Sequence, residues 1–168
     1  MNKFYHKACP QCLKPSFCRR GITTIEILIA VFIIGILVSI ILPQFSKMKE
    51  NQTLKNAVND ITSSINNARS QSLASVGSSE YGVHLETDKI IIFKGKVFSI
   101  SAVDNNVIDI IPPANISNVI LSGVSSSEGD FYFERLTAIP SKTGTIIIST
   151  SSNSKTITIS PTGAISIN

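Results

Sequence analysis

The first pattern along the chain is an almost unbroken apolar run near the N-terminus. From Ile27 to Leu42, only Gly35 and Ser39 interrupt a series of Ile, Leu, Val, Ala and Phe. As a helix, residues 22–42 would span roughly 31 Å, which matches the hydrocarbon thickness of a bilayer. A secretory signal peptide has a shorter apolar core followed by a small-residue cleavage site, and no Ala-x-Ala follows this run. The pattern therefore predicts a membrane-spanning helix.

The second pattern is helical periodicity in residues 43–76. Five apolar residues recur at spacings of three and four, whereas polar residues such as Lys55, Asn59 and Asn66 occupy the other faces. This arrangement predicts an amphipathic continuation of the same helix. Pro43 lies inside the pattern and predicts a kink, because proline removes a backbone hydrogen bond. Gly77 predicts the end of the helix. The residues of the apolar face are Leu54, Val58, Ile61, Ile65 and Ala68.

The third pattern is alternation of apolar and polar residues at a period of two in residues 77–168. Asp88 and Gly95 mark hairpin turns, and the absence of intervening helical segments predicts an antiparallel sheet. The predicted fold is α+β, with a long N-terminal helix (a transmembrane half and an amphipathic half) packed on an antiparallel β-rich head. The candidate strands are 81–86, 89–93, 97–100, 107–111, 119–122, 131–134, 145–149, 156–160 and 164–167.

Charge divides the chain at the start of the apolar run. Residues 1–21 carry five basic residues and no acid, whereas the remainder carries ten basic residues against eleven acids. Basic residues collect on the cytoplasmic side of membrane spans, so we expect residues 1–21 in the cytoplasm and the head outside. The basic isoelectric point belongs to the leader and gives no argument for nucleic-acid binding by the head.

Cysteines divide in the same way. His6, Cys9, Cys12 and Cys18 are four potential zinc ligands in the leader. A single Cys-x-x-Cys without a second pair is a weak signal, and an unstructured leader that carries three thiols is the favoured interpretation. The head contains no cysteine, so its stability has to come from its core rather than from disulfides.

No motif in the sequence indicates catalysis, a cofactor or a structural metal in the head. His84 alternates with apolar neighbours and is interpreted as a strand residue rather than a base or ligand. The segments 104–106 and 128–130 contain oxygen donors but lack the spacing of a calcium-binding loop, so they are interpreted as solvated turns. We therefore expect a protein that is not an enzyme and holds no cofactor.

The junction between leader and span resembles the processing motif of type IV pilins and type II secretion pseudopilins. Gly21 is followed by Ile22, by Glu26 at the fifth position after the glycine, and by Pro43 at a spacing similar to that of the family proline. The resemblance implies that a prepilin peptidase removes residues 1–21 and methylates the new amine of Ile22. It also implies that Glu26 pairs with the terminal amine of a neighbouring subunit during assembly.

Residues 66–74, Phe133 and residues 155–165 are similar to the helix end and C-terminal hairpins of the H-type minor pseudopilins, the GspH/FimT family. This resemblance implies a subunit of a secretion pseudopilus or a type IV pilus. The implied partners are prepilin peptidase, other pilin or pseudopilin subunits, an inner-membrane assembly platform and the lipid bilayer.

Two alternatives to this function stay open. One is a DNA-uptake minor pilin, although the arginines that DNA-binding members carry around the last glycine are missing at Gly163, which makes nucleic acid an unfavoured partner. The other is a signal-anchored surface protein that never assembles. The predicted division is a leader over 1–21, a span over 22–42, an amphipathic helix over 43–76 and a head over 77–168.

Overall fold

The computed structural model of the chain describes residues 21–168. The chain divides into two compact units, Met1–Ile40 and Ile41–Asn168. A single α-helix, α1 (Thr24–Leu73), begins in the first unit and ends in the second. It is followed by a short 3₁₀ turn, Val76–Ser78, and then by strands only. The predicted α+β class is therefore confirmed.

The helix ends earlier than the stop predicted at Gly77. Ser75 adopts a left-handed conformation with φ of 51°, and Gly77 follows with φ of 57°. Left-handed residues cannot continue a right-handed helix, and a run of them reverses the chain direction. The chain therefore turns away from the axis after Leu73 and enters the first strand at Tyr81.

Nine strands in the described part of the chain form two antiparallel sheets. The first sheet has the order β3-β2-β1-β6, and the second has the order β5-β4-β7-β8-β9. Every pairing between neighbouring strands is antiparallel, which confirms the predicted sheet type. The strands are β1 (Tyr81–Leu85), β2 (Lys89–Lys94), β3 (Asn106–Asp109), β4 (Asn115–Leu121), β5 (Val124–Ser126), β6 (Gly129–Phe133), β7 (Gly144–Ser149), β8 (Ser154–Ile159) and β9 (Ile165–Ile167).

One hydrophobic core in the second unit joins the helix to both sheets. All five residues of the predicted apolar helix face are buried, which confirms the periodicity that identified them. They pack in a cluster with inward residues of both sheets, including Val83 and Phe131 of the first and Ile146 and Ile157 of the second. Burying a Leu, Ile, Val or Phe side chain contributes about 1.5–3 kcal/mol, so this cluster accounts for the stability of a head without disulfides.

The strand predicted over 97–100 was wrong. These residues belong to a loop between β2 and β3 that folds over the outer face of the first sheet. The Phe98 ring stacks on the His84 ring with centroids 3.9 Å apart and meets Phe93 edge-on at 5.6 Å. Gly82 makes room for this layer, because a Cβ there would collide with the Phe93 ring and lie 2.7 Å from the Phe131 carbonyl oxygen. The hairpin predicted at Gly95 is accordingly a loop entry.

A second strand prediction was incomplete. The candidate strands leave out the serine-rich segment that begins at Ser125, yet Val124–Ser126 pairs with β4 as an edge strand. β4 itself begins at Asn115 rather than at Val119. Serine is tolerated on the exposed face of an edge strand, where solvent rather than packing receives the side chain, so composition does not reveal such a strand.

Candidate assembly segment

The helix begins with a capped turn directly after Gly21 and Ile22. The Glu26 amide donates to the Thr23 hydroxyl at 3.4 Å and to the Thr23 carbonyl at 3.1 Å. Thr23 and Glu26 thus have the spacing of a capping box, in which a Thr N-cap is followed three residues later by Glu. The segment that carries the predicted processing motif is therefore a defined helix N-terminus.

Glu26 is the only ionisable side chain between Gly21 and Ser46. It lies exposed in the first helical turn, where the helix dipole stabilises a negative charge. The geometry brings Glu26 to the turn that directly follows Ile22, the residue predicted to carry the new amine. The observed cap contacts are made by the Glu26 amide, and the capping-box spacing is what allows the carboxylate a local role as well. The two roles of this carboxylate have to be separated by experiment.

Gly21 is not required by the fold around it. A Cβ built at Gly21 would meet no atom within 4 Å, and its backbone is not among the left-handed glycines of the structure. The residue is exposed, as is Ile22, whose side chain is 72% accessible. Because packing does not require a glycine at this position, Gly21 is consistent with a recognition site for another protein.

The apolar part of the helix is not covered by any other described part of the chain. Its most apolar 18-residue window has a mean hydropathy of 3.1, and none of the window is buried. By length and composition the helix qualifies as a membrane span, a criterion that an N-terminal signal sequence also meets. Its exposed large side chains are Ile25, Ile27, Leu28, Ile29, Val31, Phe32, Ile33, Ile34, Ile36, Leu37, Val38, Ile40 and Ile41.

For two groups of predicted site residues, the structure tests the prediction only in part or not at all. Pro43 lies within α1, and the kink predicted there stays a prediction. His6, Cys9, Cys12 and Cys18 lie outside the described residues. From Gly21 to the C-terminus, no group of three or more His, Cys, Asp or Glu residues is arranged to hold a metal ion.

His84 lies beneath the loop between β2 and β3. Its Nε2 atom is 3.5 Å from the Glu86 carboxylate, while its Nδ1 atom is buried without a hydrogen-bond partner. One face of the ring is covered by Phe98. This arrangement packs the loop against the sheet and leaves only 12% of the His84 side chain accessible.

A contact between the helix and the C-terminal turn was not predicted from the sequence. Arg69 donates to the Thr162 carbonyl at 3.4 Å, and its Nε atom would lie 3.0 Å from a Cβ at Gly163. An arginine therefore does lie beside the last glycine, but it comes from the helix. One arginine held against a carbonyl is not the group of phosphate-neutralising cations that duplex binding needs.

Two ionisable groups on the head are shifted by their neighbours. Hydrogen bonds from Ser152, at 2.5 Å, and from Ser151 lower the pKa of Glu50 below its usual 4.5. Glu86 raises the pKa of Lys89 above its usual 10.5, by a hydrogen bond and by its charge. Both shifts come from surface contacts, and the Glu50 contact ties the tip of the β7–β8 hairpin to the helix.

The cavities of the head are small surface grooves. Two of them, of about 400 and 230 Å³, adjoin the helix and share Lys55 and Lys155 in their walls. Another, of about 310 Å³, lies between β4, β5 and the start of β6. None of these three grooves contains the pairing of nucleophile, base and oxyanion donors that an active site requires.

No protein-family model matches the chain, and comparisons with curated proteins and with solved structures return no match.

Proposed function

We propose that this chain is the precursor of a minor pilin-like subunit, processed by a prepilin peptidase and assembled into a type II secretion pseudopilus or a type IV pilus. The observation that carries the proposal is the position of Glu26. It is a lone carboxylate in the first turn of a membrane-length helix, directly after a glycine that the fold does not require.

The energetics of that carboxylate support a role in assembly. A charged side chain at the centre of a bilayer costs on the order of 2.5–3.5 kcal/mol, with less cost toward the interface. Cleavage after Gly21 would place a positive amine on Ile22 at a similar depth. When Glu26 of one subunit pairs with the amine of a neighbour, the penalty of both charges falls, and the pair fixes the register between subunits.

The apolar surface of the helix supports the same assembly. In the membrane these side chains contact lipid, and in a filament they contact neighbouring helices. Because lipid and side chains are similarly apolar, burial alone gives little net driving force. The ion pair therefore supplies orientation, and the β-rich head supplies the surface that the filament presents outward.

In this proposal the chain is not an enzyme. Its partners are prepilin peptidase, other pilin or pseudopilin subunits, the assembly platform and the bilayer. The subunit would begin as a single-pass inner-membrane protein with its leader in the cytoplasm and its head outside, and would end in the filament.

Processing by the peptidase is the decisive experiment. The full chain is co-expressed with a prepilin peptidase, and intact mass is measured for the wild type, Gly21→Val and the control Gly35→Val. We expect loss of residues 1–21 and gain of one methyl group in the wild type and the control, and an intact chain in Gly21→Val. Neither glycine position has an atom within 4 Å of an added Cβ, so the variants differ in recognition rather than in packing. An intact wild-type leader would overturn the proposal.

One observation favours a second candidate, a signal-anchored surface protein that does not assemble. Thr23 accepts a hydrogen bond from the Glu26 amide, and the two residues have capping-box spacing, which allows the Glu26 carboxylate a purely local use. In that case the carboxylate stabilises the first turn and needs no partner. The Glu26 variants described in the Discussion separate this candidate from the filament subunit.

A further inference from the structure

We infer that Phe45, Met48 and Lys49 form an interfacial patch that contacts the anionic phosphate headgroups of the outer leaflet. The inference rests on the proposed membrane insertion of the helix. It assigns a lipid contact to a part of α1 that lies beyond the apolar span and is not used by the core of the head.

The apolar members of the patch are more exposed than folding of the head explains. Phe45 is 57% accessible and Met48 is 72% accessible. At about 100° per helical residue, Phe45 lies about 170° and Met48 about 115° around the axis from the face that carries Leu54, Val58 and Ile61. These two apolar side chains therefore point away from the core and are open to another surface.

Lys49 lies beside these apolar side chains. Its ammonium lies 5.8 Å from the centroid of the Phe45 ring, within the range of a cation–π contact. Lys47 is exposed but lies about 160° around the axis from Phe45, on the side of the helix that carries Glu50. Glu50 is hydrogen-bonded to Ser152, and the charge of Lys47 also acts on it. Lys49 is therefore the lysine that faces outward with the two apolar side chains.

The position of the patch along the chain matches the interface of a bilayer. Along the helix axis, Phe45 lies about 4.5 Å past Leu42, and Met48 lies about 9 Å past it. Beyond the hydrocarbon, each headgroup region is roughly 5–7 Å thick, so Phe45 lies within it. Met48 lies just past its outer edge, and its side chain points back toward the span because helical side chains tilt toward the helix N-terminus. Aromatic rings and the ammonium groups of snorkelling lysines concentrate at this depth, where one end of the side chain meets acyl chain and the other meets phosphate.

Charge selects lipid over a second copy of this chain as the occupant. A symmetric contact between two patches would bring Lys49 of one copy against that of the other. Phosphate headgroups have the opposite charge and attract this lysine.

The chain contains no tryptophan, which makes a single substitution a clean optical probe. The full chain carrying Phe45→Trp is reconstituted in vesicles that contain lipids brominated either near the headgroup or deep in the acyl chain. Phe32→Trp marks the span, and Val97→Trp, at a position 81% accessible in a loop of the head, marks the aqueous side. Tryptophan emission and its quenching are measured for each variant.

We expect Phe45→Trp to emit at shorter wavelength than Val97→Trp and to be quenched most by bromines near the headgroup. Phe32→Trp should be quenched most by deep bromines. If Phe32→Trp is quenched but Phe45→Trp resembles the aqueous control, the patch is overturned and membrane insertion stands. If neither is quenched, insertion fails as well. Quenching of Phe45→Trp that disappears as the protein-to-lipid ratio rises would show contact with another copy and would also overturn the inference.

The preference for anionic lipid is tested with matched charge removals. Brominated phosphatidylglycerol should quench Phe45→Trp at least about twofold more than brominated phosphatidylcholine at equal mole fraction. Lys49→Gln should reduce this ratio toward one. Lys55→Gln removes the same charge farther from the interface than about one Debye length and should leave the ratio unchanged. Equal quenching by both lipids in the unsubstituted background would overturn the phosphate contact.

Discussion

The Ser72 hydroxyl accepts a hydrogen bond from the Tyr81 amide at 2.8 Å and lies 3.3 Å from the Tyr81 carbonyl. One side chain near the end of the helix thus satisfies both backbone groups of the first strand residue. Ser72 is fully buried, and its own carbonyl accepts from the Leu136 amide at 3.0 Å. The helix end, β1 and the β6–β7 connection therefore meet at one residue.

Replacing Ser72 by alanine tests this junction. Ser72→Ala leaves the Tyr81 amide and carbonyl without that partner in a buried place, so we expect the free energy of unfolding to fall by about 1–3 kcal/mol. Ser70→Ala, at an exposed position of the same helical segment, should change it by less than about 0.5 kcal/mol. Chemical denaturation of the full chain in mild detergent measures both. Equal stability of the two variants would show that the Ser72 contacts contribute nothing.

Phe98 is expected to hold the loop between β2 and β3 on the sheet. Phe98→Ala removes the stack on His84 and the edge contact with Phe93, so the free energy of unfolding should fall by about 1–3 kcal/mol. Amide hydrogen exchange should accelerate in residues 95–105. Val97→Ala is the control, because Val97 is its exposed neighbour. Unchanged exchange in the Phe98 variant would mean that the loop is held by other contacts.

The shifted pKa of Glu50 predicts a pH dependence with a definite sign. A carboxyl whose pKa is lower in the folded state adds stability above its unfolded pKa and loses that contribution as the pH falls through the folded value. We therefore expect the hairpin contact to weaken below about pH 4.5. Ser152→Ala should raise the Glu50 pKa toward 4.5, as followed by NMR titration. Ser154→Ala, which leaves the Ser152 and Ser151 contacts in place, should not; equal titration of all three proteins would refute the assigned cause.

Glu26 variants separate assembly from capping. Glu26→Gln keeps the capacity to accept a capping hydrogen bond but removes the charge, whereas Glu26→Asp keeps the charge. If the carboxylate pairs with a neighbouring amine, Glu26→Gln and Glu26→Leu should insert and be cleaved normally but lose filament incorporation by at least about tenfold. Glu26→Asp should retain more incorporation than either, as measured in sheared filament fractions. Normal incorporation of Glu26→Gln would leave only the capping role.

The charge distribution predicts the absence of duplex DNA binding by the head. Residues 43–168 carry ten basic and ten acidic residues, and Arg69 is already held against Thr162. We expect no retardation of duplex DNA by this fragment in a gel-shift series from about 50 to 200 mM salt. A complex that weakens steeply across the series would reverse this expectation and favour the DNA-uptake subunit.

The helix could be predicted from sequence because its pattern is local. Leu54, Val58, Ile61, Ile65 and Ala68 recur at helical spacing, and the side of the helix they share is the side that packs. The strand segments with strict alternation, such as Thr156 to Ile159, were recognised for the same reason. In both cases the periodicity of the helix or strand can be recognised in a short stretch of sequence.

Contacts between distant residues could not be predicted in this way. The segment 97–100 has apolar residues as often as a strand does. Phe98 nevertheless stacks on the His84 ring, and this contact holds the segment against the sheet as a loop. Arg69 contacts the turn at Gly163 through Thr162, which lies 93 residues farther along the chain, between β8 and β9. The division into two sheets follows from pairings such as β1 with β6, which no local pattern encodes.

The strand order also determines when the head can become complete. β6 closes the first sheet after β4 and β5 of the second have been made, and β9, the last strand, closes the second. A ribosome-bound or partly translocated chain therefore exposes the unpaired edge of β1 until β6 has been delivered, and the unpaired edge of β8 until β9 has been delivered. Truncations near the C-terminus should consequently be eliminated by quality control rather than tolerated as shortened heads.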